Sequence, residues 1–125
     1  MEPVFRLTNA EAKLADLLWD NAPMASMEMV KLAGVELGWK KSTAFSVLKF
    51  LIGKGLAQNV GSVVTMLYSR EEFTAEQGIR YIDEAYGGSL PLFVAAFTRN
   101  RRLTAEQLAE LRSLIETDEP GDQDG

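Results

Sequence analysis

Five cations, Lys40, Lys41, Lys49, Lys54 and Arg70, stand in the stretch Leu37–Arg70, which contains no Asp or Glu. Cationic side chains without carboxylate neighbours are suited to binding a polyanion, because a phosphate backbone responds to local charge placement rather than to the whole-chain total. The total points the other way, with a formal net charge of −5 over 125 residues. Position resolves the conflict: residues 1–70 hold 8 Lys+Arg against 6 Asp+Glu, a net of +2, and residues 71–125 hold 5 against 12, a net of −7. Other chemistries are thinly supplied. The chain has no Cys and no His, which removes disulfides, thiolate ligands, Cys nucleophiles and the commonest general base. The adjacent pairs Glu71-Glu72 and Asp83-Glu84 diverge on a helix and make no catalytic dyad. No enzyme activity, cofactor or metal site is expected.

Caps and periodicity give the elements that would position these cations. Thr8-Asn-Ala-Glu11 is a capping box, and the helix after it has Ala12, Leu14, Ala15, Leu17, Leu18 and Trp19 apolar before Asn21-Ala-Pro23 stops it. Ser26 is the expected cap of a second helix, residues 27–35, with Met29, Val30 and Ala33 inward and Gly34 or Gly38 at its end. Ser42 is the expected cap of a third, in which Ala44, Val47, Leu48, Leu51 and Ile52 form one apolar stripe ended by Gly53-Lys-Gly55. Residues 56–60 and 63–68 are rich in strand formers around Gly61-Ser62 and predict a β-hairpin. Three short helices and a hairpin follow the order of a winged helix-turn-helix, whose third helix enters the DNA major groove.

On that third helix the groove-facing candidates are Lys40, Lys41, Ser42, Thr43, Phe45, Ser46 and Lys49, with Phe45 and Phe50 lying off the buried stripe. The lysines suit phosphates or guanine edges, Thr43 and Ser46 suit base edges or phosphate oxygens, and Phe45 suits a thymine methyl. Lys54 has two readings, a phosphate contact or a cation at a helix C-terminus.

Beyond residue 70, Thr74-Ala-Glu-Gln77 reads as a second capping box opening a helix over residues 75–86. Ser89-Leu-Pro91 opens another after Gly87-Gly88, and Thr104-Ala-Glu-Gln107 a third. These helices are too small to bury their own apolar faces. A homodimer is therefore expected through Ile79, Ile82, Tyr86, Leu92, Phe93, Phe97, Leu108, Leu111, Leu114 and Ile115. Arg99, Arg101 and Arg102 read as a solvated connector. The expected fold class is mainly α with a small β-hairpin: a winged helix-turn-helix domain over 1–70, a helical dimerisation region over 71–116 and a disordered acidic tail over 117–125. With no apolar run of about 18 residues and no leader-like segment, a cytoplasmic, nucleoid-associated protein is expected.

A set of short pieces now falls into one order: Leu7-Thr-Asn-Ala-Glu11, Leu18-Trp19, Gly38-Trp39 ahead of Thr43, Leu48, Leu51, Lys54-Gly-Leu56, Tyr68, Gly87-Gly-Ser-Leu90, Val94-Ala-Ala-Phe97 and residues 103–111. In order and spacing these pieces resemble the penicillinase-repressor family of winged-helix transcriptional regulators. The resemblance implies a dimer that binds a dyad operator and represses, with a membrane sensor protease that inactivates it by cleavage. The aligned cleavage position is Ala96-Phe97, where the family usually has Asn before the bond. Phe50 and Ser62 stand where the family usually places basic residues, the hairpin is longer, and the cysteine cluster of copper-responsive relatives is absent. An alternative function on the same fold is a protein-interaction or adaptor module with weak or no DNA binding.

Overall fold

The structure, a computed structural model, describes residues 3–120. The chain divides after Tyr81 into two compact units. The first contains α1 (Asn9–Asn21), β1 (Met24–Ala25), α2 (Ser26–Leu37), α3 (Lys41–Gly53), β2 (Ala57–Val60), β3 (Val63–Met66) and the opening turns of α4 (Arg70–Tyr86). The end of α4, α5 (Leu90–Asn100) and α6 (Ala105–Thr117) belong to the second. The fold is a winged helix, mainly helical with a small antiparallel sheet.

The capping boxes at Thr8 and Thr104 both form, each side chain accepting from the N3 backbone while the N3 side chain accepts from the cap backbone. Ser89 caps α5 through the Leu92 N–H. The other expected caps are corrected. Ser26 is the first residue of α2 rather than its cap, because its N–H is bonded to the Ser62 carbonyl at 2.8 Å. Ser42 lies inside α3, with extended Lys40 at the flank and no side-chain cap. The fourth helix starts at Arg70 instead of Ala75: Ser69 and Glu72 form the capping box, with Ser69 N–H to Glu72 Oε1 at 2.8 Å and Glu72 N–H to Ser69 Oγ at 3.0 Å. Thr74 is then internal and its hydroxyl donates to the Arg70 carbonyl at 2.8 Å. The earlier start carries Phe73 into the first unit's core, 5.6 Å from the Phe5 ring and 5.2 Å from Trp19.

The hairpin forms around Gly61 and Ser62, whose φ values of 57° and 63° give the doubly left-handed turn that matches strand twist. A third strand, β1, joins it. Met24 pairs with Val64 and Ala25 with Val63, giving the sheet order β1-β3-β2. The core lies between α1, α2, α3 and this sheet, with Leu14, Leu18, Met29, Leu48, Leu51, Leu56 and Val64 fully buried. Ile52, expected on the stripe, is 38% exposed.

Between α2 and α3 the chain reverses through Gly38 at φ 69°, with Trp39 N–H returning to the Ala33 carbonyl at 3.2 Å. A Cβ at Gly38 would meet nothing within 4 Å, so the cost of Gly38→Ala is the left-handed backbone alone, about 1–2 kcal/mol. Urea unfolding should show that loss as a lower midpoint at unchanged slope.

In the second unit Tyr86 and Phe93 meet edge-to-face at 5.3 Å, and Phe93 and Phe97 lie 6.2 Å apart. No residue of α5 or α6 is buried. Leu92, Leu108, Leu114 and Ile115 are all exposed. The acidic tail expected over 117–125 begins with Thr117 still in α6, and residues 121–125 lie outside the described residues.

Candidate nucleic-acid interface

The exposed sector of α3 is set by its buried one. Ala44, Val47, Leu48 and Leu51 are fixed in the core, which turns Ser42, Thr43, Ser46, Lys49 and Phe50 to solvent, with Lys40 and Lys41 exposed at the helix start. Among the described residues, Lys40, Lys41 and Lys49 make no ion pair within 4 Å. They are the free cations of the acid-free stretch.

The other two cations of that stretch are engaged. Lys54 turns its ammonium inward, donating to the Arg6 carbonyl at 2.6 Å and to the Glu11 carboxylate. The structure thus pairs the Lys54 charge within the fold, with a carboxylate only 5% exposed. Arg70 lies 5.4 Å from the Trp19 ring centroid and reaches Asp20 at 3.1 Å and Asp16 at 3.5 Å. Burial pushes the Glu11 carboxyl up, but hydrogen bonds from Lys54 and the Thr8 N–H, with the Lys54 charge, hold it below its ordinary value.

The two aromatics of α3 separate. Phe45, expected to face a groove, is half-buried and packs against the core. Phe50 is 62% exposed. The wing tip is uncharged, with Val60 66% and Val63 43% exposed around Gly61-Ser62. The site therefore combines a helix face of hydroxyls, three lysines and one open aromatic ring with a neutral hairpin fixed to α2 through Ser26. Such a face can hydrogen-bond phosphates and base edges.

A family model for the penicillinase repressors matches residues 7–117. The chain belongs to that family. The penicillinase repressor of Bacillus licheniformis is 21% identical over 120 residues, covering 93% of this chain and 94% of the relative. Penicillinase repressors are transcriptional repressors. Among the described residues no helix is long and apolar enough to cross a membrane. Two features of this penicillinase-repressor fold carry no strong local sequence signal. Strand β1 is only two residues long, too short for an alternation pattern, and the partners Glu11 and Lys54 are 43 positions apart.

Proposed function

We propose that this chain is a homodimeric, sequence-specific repressor that places α3 of each protomer in successive major grooves of a dyad operator. The observation that carries this reading is the exposed α3 face, where Lys40, Lys41 and Lys49 have no carboxylate partner among the described residues. The lysines bind phosphates, and Thr43 and Ser46 meet base edges, with Ser42 beside them. The wing, lacking a cation, supports the hairpin side of the groove through shape. Dimerisation falls to Ile79, Ile82, Tyr86, Leu92, Phe93, Phe97, Leu108, Leu111, Leu114 and Ile115, whose apolar helices have no buried residue of their own in α5 and α6.

Ala96 and Phe97 lie within α5, where Asn100 Nδ2 donates to the Ala96 carbonyl at 2.9 Å and Arg101 N–H to the Phe97 carbonyl at 2.8 Å. A membrane sensor protease that cuts between them must first unwind that turn. A second reading, a protein-binding adaptor, is favoured by the open Phe50 ring and the uncharged wing.

Selection of duplexes from a random pool with the full chain separates the two. A repressor enriches a two-fold related motif with half-site centres about 10 base pairs apart, or a multiple of that spacing. Absence of any enriched motif would contradict the repressor and leave the adaptor.

A further inference from the structure

Phe50 is the most exposed large apolar side chain of α3, 62% against 38% for Ile52, and it stands among hydroxyls and Lys49. At about 100° per residue it lies about 20° around the helix axis from Thr43 and about 40° from Ser46, so the three share one line along the face. A phenyl ring carries neither charge nor donor, so phosphate contact gives it nothing. In the major groove the apolar group open to it is the C5-methyl of a pyrimidine, carried by thymine in unmodified DNA.

The flanks favour DNA over protein as the occupant. Lys49 is adjacent, Lys40 and Lys41 are exposed at the same helix, and the chain has no acidic residue from Leu37 to Arg70. We infer that Phe50 is a specificity-determining residue that reads a thymine methyl in each operator half-site through apolar contact. This role differs from that of the basic residue expected at this position, which would add affinity for any sequence through phosphate. Replacing it with an aromatic exchanges general affinity for methyl readout. The inference rests on the reading of α3 as the DNA-contacting helix.

The test is a cycle between protein and base, using the duplex enriched by selection with the full chain. Each thymine is replaced singly by deoxyuridine, which removes only the C5-methyl, and affinity is measured for the wild type and for Phe50→Ala. Because the ring is exposed, Phe50→Ala should leave the thermal unfolding midpoint unchanged. Loss of one buried methyl contact corresponds to about four-fold in affinity per half-site and about fifteen-fold when both half-sites are changed. We expect that loss in the wild type at one thymine per half-site and its absence in Phe50→Ala, with Phe50→Leu retaining part of the methyl preference. Equal uridine effects in wild type and Phe50→Ala, or no uridine effect at any position in a duplex the wild type binds, would overturn the inference while leaving the repressor intact. Failure to enrich any duplex would contradict the repressor reading itself.

Discussion

Lys54→Met should destabilise the first unit by about 3 kcal/mol, the low end of the range for breaking a buried ion pair, because Lys54 itself is 24% exposed. The cause is the partner left behind. Glu11 is 5% exposed, and with Lys54 gone its carboxylate keeps the hydrogen bond from the Thr8 N–H at 2.9 Å. Urea unfolding measures the loss. A double replacement, Lys54→Met with Glu11→Gln, should recover part of it by removing the stranded charge. The same pair sets a pH dependence. Because the folded Glu11 value is depressed, its stabilisation is fully present above the unfolded carboxyl value of about 4.3 and is lost as pH falls through the lower folded value. Lys54→Met should flatten that acid limb. A variant as stable as the wild type at neutral pH would show that Lys54 is available for other contacts and would return it to the list of phosphate ligands.

Lys49→Ala should act on DNA affinity and leave stability alone. An exposed lysine without an ion pair contributes little to folding. Removing one phosphate contact per protomer removes two per dimer. At about 0.1 M salt each is worth close to tenfold, so affinity should fall about a hundredfold and the slope of log affinity against log salt should decrease by about 2. Thr43→Ala should differ in kind, narrowing the preference for the selected duplex over a scrambled one with little change in slope. Salt-titrated anisotropy on both duplexes distinguishes the two effects. Unchanged binding in both variants would move the contact surface off α3.

These two experiments fall on opposite sides of what the sequence made legible. The helix face bearing Thr43, Ser46 and Lys49 follows from the spacing of Ala44, Val47, Leu48 and Leu51, a local periodicity that any reader of the chain can extract. The hairpin was equally local, since Gly61-Ser62 between valines specifies the turn. Lys54 was not legible in the same way. Whether a cation at a helix end meets solvent or a carboxylate depends on what the fold brings to it, and Glu11 arrives from 43 positions away. Phe45 and Phe50 make the same point. Each lies three residues from a buried neighbour, Leu48 and Val47 respectively, and so about 60° outside the buried sector on either side. Periodicity alone cannot separate them; packing buries part of the first and leaves the second open. Two capping-box spacings compete for the start of α4, Ser69 with Glu72 and Thr74 with Gln77. The burial of Phe73 between Phe5 and Trp19 favours the earlier one.

Fluorescence anisotropy of the full chain on the selected duplex and on a scrambled duplex, from about 50 to 200 mM salt, tests the DNA-binding role of α3 most directly. Three free lysines per protomer give six phosphate contacts per dimer, so log affinity should fall with log salt at a slope of about −5, with the selected duplex bound at least about a thousandfold more tightly. Equal affinity for the two duplexes, or no binding to either at the lowest salt, would contradict a sequence-specific repressor acting through this helix.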